Sequence, residues 1–217
     1  MTNPDTRATD LFDHTSAEVQ EFVDSVPRGR SPSDIERAVA LYYAVRDGIF
    51  YEVFGTDLSP DGLRASSVVT AGRGFCLHKS ILYVAALRAT GIPAQLVAGH
   101  VVNHLASPEL LSLVGGEQFL HWLTRVRLDG RWVYATPVFN KLLCKLYRIE
   151  PLDFDGRADS LFQPYAAGEA MRFLGDKQHF ADPGYPELLE LVTAAHPAML
   201  GADLRVPALG SAAGQGH

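Results

Sequence analysis

Residues 77–90, LHKSILYVAALRAT, place Ile81, Leu82, Val84, Ala85 and Leu87 on every side of a helical wheel. A helix that is apolar all round has no face to give to water, so other elements must be packed around it. Gly91 follows where a left-handed C-terminal residue is wanted, and Pro93 keeps the helix from continuing. The next stretch, AQLVAGHVV, reads as a strand. The chain is therefore organised about a central helix, and its other elements must supply the cover.

The clearest cover is a hairpin in FLHWLTRVRLDGRWVYATP. Leu120, Trp122, Thr124, Val126 and Leu128 alternate with His121, Leu123, Arg125 and Arg127, and Asp129-Gly130 forms a two-residue turn before RWVYAT returns. Upstream, SAEVQEFVDSVP predicts a helix with Ser16 as N-cap, carrying Val19, Phe22, Val23 and Val26 on its apolar side. A second helix is expected from Ser31 as N-cap and Pro32 at its first position, with Ile35, Val39, Tyr42, Tyr43 and Val45 facing inward. A weak helical segment spans Ala65 to Thr70, and a short helix is expected around Pro108 to Leu113. NKLLCKLYRI and PELLELVTAAHP read as further helices, with a loop at PLDFDGRADSLFQPY between them. Helices first, then one central helix, then antiparallel strands make an α+β arrangement.

Length and a 47% hydrophobic content suit one core and one domain, expected over residues 16–200. Residues 1–15 read as a flexible N-terminus and 201–217 as a disordered tail. A net charge of −6 with no basic stripe argues against nucleic acid as a partner. No run reaches the roughly 18 apolar residues of a membrane span, and the start has no secretory pattern. Two cysteines without a CxxC spacing form neither a disulfide framework nor a zinc motif, so a cytoplasmic location with free thiols is expected. No metal or organic cofactor is implied.

The chemistry centres on Cys76 in AGRGFCLHKS. A thiol at a helix N-terminus sits among unpaired N–H groups and the positive end of the helix dipole, which favour the thiolate. Gly72 and Gly74 would leave room for a substrate, and the Cys76 N–H would donate to an oxyanion. Such a nucleophile needs a base, and His121 is the candidate, a polar position between two core-facing residues of its strand. The two meet if the central helix sets its N-terminus against the His121 face. The base then needs an orienting acceptor; the hairpin register brings Thr136 and Asn140 near. His78, two residues after Cys76 and roughly 200° around the helix, points away and reads as structural.

GRGFCLHKSILYVAALRATGIPAQLVAGHV, then HW followed by RVRLDGRWVYATP, resemble the transglutaminase-like superfamily of papain-type cysteine enzymes. The upstream ERAVALYYAVRDGIFYEVFG fits the same pattern, and the likeness covers roughly residues 16–140. It implies a Cys-His-Asp triad on an α+β fold, with the helix carrying Cys76 packed on an antiparallel sheet. Where the family places its aspartate after the second strand, this chain reads Trp132-Val133-Tyr134-Ala135-Thr136-Pro137, so threonine stands in for the carboxylate. A threonine hydroxyl can accept the imidazole hydrogen bond but supplies no charge. Asp155 or Asp159 in FDGRADSLF would be the carboxylates able to substitute. ATPVFN together with FDGRADSLF resembles a bacterial subgroup of the superfamily.

The expected function is cysteine-dependent acyl transfer or hydrolysis at an amide or thioester carbonyl, with Cys76 as nucleophile and His121 as base. The substrate would be a peptide, amide or thioester, including one carried by a protein. Two rivals stay open: an amine acyltransferase fed by a carrier-protein thioester, and a non-enzymatic binding module on a degenerate triad. Whether NHLASPELLSLVGGEQ covers the site as a lid is a further open reading.

Overall fold

The computed structural model describes residues 3–27, 29, 31–102, 108–116, 118–161 and 171–201. Helices α1 (Ala17–Ser25), α2 (Asp34–Gly48) and α3 (Ala65–Ala71) precede the central helix α4 (Cys76–Ala89). Strands β3 (Ala94–Val102), β4 (Gln118–Leu128) and β5 (Arg131–Ala135) follow, with α5 (Pro108–Val114) between β3 and β4. Helix α6 (Lys141–Tyr147), strand β6 (Arg172–Phe180), and helices α7 (Tyr185–Ala195) and α8 (Ala198–Gly201) complete the order. Two-residue strands β1 (Phe50–Tyr51) and β2 (Arg73–Gly74) pair in parallel just before α4. The main sheet is antiparallel in the order β5-β4-β3-β6. It is the α+β arrangement expected, with the helix that begins at Cys76 packed on an antiparallel sheet.

Every residue of α4 from Cys76 to Arg88 is buried. Helices α1, α2 and α3 cover one side of it, and β3 and β4 the other. Two cations are buried with it, each kept by carbonyl partners. Lys79 donates to the carbonyls of Arg46 and Ile49 at the end of α2. Arg88 donates to those of Arg7, Ala94 and Ala181. Burial lowers the Lys79 ammonium to about 7.

Three local expectations shift. Helix α2 starts at Asp34, not Pro32, because Ser33 and Glu36 close a reciprocal capping box that fixes the N-cap three residues from Glu36. Its buried face runs Ala38, Leu41, Tyr42 and Val45, leaving Ile35, Val39 and Tyr43 only partly covered. The N-terminal segment, expected to be loose, places Leu11 and Phe12 in the core and is tied down by Ala65 N–H on Leu11 O and Ala94 N–H on Asp5 O. The third is β6, whose residues carry no strand pattern in the sequence. Of the tail expected over 201–217, Gly201 closes α8 and 202–217 lie outside the described residues, as do 103–107 and 117 of the expected lid.

The hairpin follows its pattern. Asp129 (φ 47°) and Gly130 (φ 78°) both take the left-handed conformation that a tight two-residue turn needs. Pairing then runs from Leu128↔Arg131 to Thr124↔Ala135 and stops. Strand β4 continues back to Gln118 with β3 on one side and no β5 on the other. That open edge is where the candidate site lies.

Candidate active site

Cys76 is the first residue of α4; the N-cap, Phe75, makes no side-chain cap bond. The first-turn N–H groups are therefore open to another acceptor, and the Cys76 thiol takes that place. Burial pushes the thiol up to about 12, while hydrogen bonds from the backbone N–H groups of Trp122, Leu77 and Cys76 itself oppose the rise. The bond from Trp122 N–H ties the thiol to β4. It sets the sulfur against the His121–Trp122 peptide, on the side of β4 that β5 has vacated.

His121 precedes Trp122 on β4, but its ring takes the other face of the sheet. Leu120, Trp122 and Val126 share the main core with α4, whereas Phe119 and Leu123 belong to separate clusters across the sheet. Strand alternation puts His121 with Phe119 and Leu123. Its ring meets Phe173 edge-on at 6.1 Å between centroids. The condition for the two side chains to meet, α4 on the His121 face, is not fulfilled: α4 takes the Leu120–Trp122–Thr124 face, with the Thr124 hydroxyl donating to Ser80 O at 3.4 Å. The reason is packing: three large or β-branched side chains fill the groove against α4 better than an imidazole would. His121 is 2% exposed, its Nε2 has no partner, and burial alone lowers it to about 4.

Thr136 follows the last paired residue of β5. One further step of the ladder would set it opposite Leu123, diagonal to His121 and on the same face. It is buried, and its Oγ1 has no hydrogen-bond partner. Its carbonyl accepts from the Tyr42 hydroxyl at 3.0 Å. The other residues considered for orienting the imidazole each give an oxygen to backbone. Asn140 Oδ1 accepts from Tyr51 N–H, Asp155 Oδ1 from Arg157 and Ala158 N–H, and Asp159 Oδ1 from Tyr134 N–H. The structure thus brings Cys76 to the peptide of His121 and sets Thr136 at the end of the neighbouring strand. No hydrogen bond among the described residues joins the three side chains.

Gly74 serves a different neighbour from the one expected. A Cβ there would lie 2.5 Å from His78 Cβ, so the glycine makes room for that ring rather than for a substrate. His78 donates through Nε2 to Asp57 O at 3.0 Å and is lowered to about 4, mainly by burial. Two clefts, of about 600 and 240 Å³, are lined by residues other than Cys76, His121 and Thr136. No group of three or more His, Cys, Asp or Glu side chains among the described residues could hold a metal ion. None of their helices is long and apolar enough to cross a membrane.

One residue at this edge escaped the sequence reading. His196, just past α7, is buried, accepts the Leu120 N–H at its Nε2 (2.9 Å) and donates from Nδ1 to Val114 O (2.8 Å). Nothing in AAHPAM marks it; a lone histidine after an apolar helix carries no pattern.

A family model described as the transglutaminase-like superfamily matches residues 20–137, more than half of the chain. Among solved structures, the chain is similar to a "putative cysteine protease" from Cytophaga hutchinsonii, with 14% identity and a TM-score of 0.48. That match covers 81% of this chain and 52% of the other. A second similar structure, a "putative protease" from Parabacteroides distasonis, has 16% identity and a TM-score of 0.38, covering 58% of this chain and 25% of the other. The chain thus spans about half the length of the first and a quarter of the second. Comparison with curated proteins gave no match.

Proposed function

From the premise that this chain belongs to the transglutaminase-like superfamily, we propose that it is a cysteine-dependent acyl-transfer enzyme acting on an amide or thioester carbonyl of a peptide or protein. Cys76 is the nucleophile, His121 its general base and acid, and Thr136 the residue that orients the imidazole. The observation that carries this reading is the seat of the thiol: first residue of a buried helix, bonded to the N–H of Trp122, the residue that follows His121, at a strand edge that β5 leaves unpaired.

With the thiol near 12 and the imidazole near 4, both groups are neutral at pH 7. The proton therefore moves during attack rather than before it. Rotation of His121 about its side-chain bonds carries Nδ1 toward the open edge, and Nε2–H then donates to the unpartnered Thr136 Oγ1. The sulfur forms a bond to the carbonyl carbon as the thiol proton passes to His121. The backbone N–H of Cys76 donates to the oxyanion in this scheme. Collapse breaks the C–N or C–S bond, the proton returns to the leaving amine or thiol, and water or an amine resolves the acyl-enzyme.

The test is acyl trapping. Intact mass after exposure to a small activated thioester should show one acyl group on Cys76, absent in Cys76→Ala and slow to form in His121→Ala. An unmodified wild-type protein would overturn the reading. A second reading, a binding module without catalysis, is favoured by the lack of any hydrogen bond between the Cys76 and His121 side chains; it requires that unmodified result.

A further inference from the structure

The open edge of β4 carries two neighbouring N–H groups that point the same way, because residues two apart in a strand repeat their orientation. Trp122 N–H meets the Cys76 sulfur, and Leu120 N–H meets His196 Nε2 at 2.9 Å. Where β5 would have supplied carbonyls, a thiol and an imidazole supply the acceptors instead. The imidazole also reaches a third element: its Nδ1–H donates to Val114 O, at the end of α5, at 2.8 Å. Both ring nitrogens are used and the residue is buried, so the ring is held as a neutral tautomer with its proton on Nδ1.

We propose that His196 is a positioning residue for the candidate site: by bridging Val114 O and Leu120 N–H it fixes the unpaired end of β4, and with it the stretch of backbone from which the His121 ring must reach Cys76. The inference rests on the acyl-transfer reading above, since it assigns His196 to that same site. Its physical basis is the cost of leaving a buried strand edge without acceptors. Without the bridge, Leu120 N–H loses its partner and residues 118–121 are held from one side by β3 alone. His121 ends that span and Trp122 follows it. His196 touches no substrate in this scheme; it acts through the backbone of β4.

The experiment measures iodoacetamide alkylation of Cys76 at pH 8 in the full chain, read by peptide mass spectrometry. Two variants are compared, each with and without His121→Ala. His196→Leu keeps bulk but has neither donor nor acceptor; His196→Gln keeps one of each. In the wild-type background, His121→Ala should slow alkylation about tenfold or more, as expected for loss of a general base. In the His196→Leu background that effect should shrink below about twofold, because a displaced base has little left to lose. His196→Gln should restore most of it. If His121→Ala matters equally with and without His196, the positioning role is overturned while the acyl-transfer reading stands. If His121→Ala has no effect even in wild type, the acyl-transfer reading itself falls, and the inference with it. Should His196→Leu fail to fold, ring nitrogen NMR of the wild-type protein decides: a proton on Nδ1 with a bare Nε2 supports the bridge, and a proton on Nε2 overturns it.

Discussion

Gly99 lies directly opposite His121 in the β3–β4 ladder, and the space its missing side chain leaves is filled by the ring of Phe173. A Cβ at Gly99 would come within 2.9 Å of that ring, so glycine is what lets Phe173 cross β3 and cover the imidazole. The low pKa of His121 has burial as its one cause. Removing the cover should therefore undo it. In Phe173→Ala, the His121 titration followed by NMR should move from about 4 toward 6.5. A midpoint that stays near 4 would mean that other groups bury the ring.

Thr136→Val exchanges a buried hydroxyl without a partner for a methyl group of similar size. Stability should change by less than about 1 kcal/mol, since no resting hydrogen bond is lost. Acylation of Cys76 should nevertheless slow several-fold, because the imidazole loses its orienting acceptor. A large stability loss by urea unfolding, with unchanged acylation, would assign Thr136 to the scaffold.

What could be read from the sequence divides along a physical line. The hairpin register, the Asp129-Gly130 turn and the boundaries of β3 were legible, because alternation and turn chemistry are local. Strand β6 was not. Most of its residues are exposed, so it has no inward-facing apolar rhythm, and it joins the sheet through a partner far away in sequence. The site shows the same division. Alternation separates Leu120 and Trp122 from His121 but cannot say which face α4 will occupy. That depends on how side chains fill the groove, a tertiary matter. His196 lay beyond reach for the same reason: its partners, Val114 and Leu120, are about eighty residues away along the chain.

Tyr42 holds the end of β5 in place. Its buried hydroxyl lies 3.0 Å from Thr136 O and 2.8 Å from Leu152 O, with Ser160 Oγ at 3.3 Å. Tyr42→Phe leaves these acceptors without their donor and should cost about 1–3 kcal/mol by urea unfolding. A change within experimental error would show that water or Ser160 replaces the hydroxyl.

Stability should depend on pH on both sides of neutrality. His78 and His121 are each lowered from 6.5 to about 4 in the folded state, so between those values the unfolded chain binds more protons. Their contribution is fully present above pH 6.5 and is lost as pH falls to 4. Lys79, lowered from 10.5 to about 7, acts in the same direction over its own window: stability rises as pH climbs from 7 toward 9, above which Cys76, raised from 9 to about 12, opposes it. Urea midpoints across pH 4–10 should show both slopes, and His78→Gln should flatten the acid one. A stability maximum near pH 5 would contradict these shifts.

In the proposed mechanism Cys76 and His121 work as a pair although their side chains are unlinked at rest. The acylation rate of Cys76 with a small thioester, measured from pH 5 to 9 in wild type and His121→Ala, decides whether they do. The paired account requires the wild type to be faster by about tenfold or more across the range where the imidazole is neutral. Equal rates in the two proteins, rising tenfold per pH unit as for an isolated thiol, would contradict it.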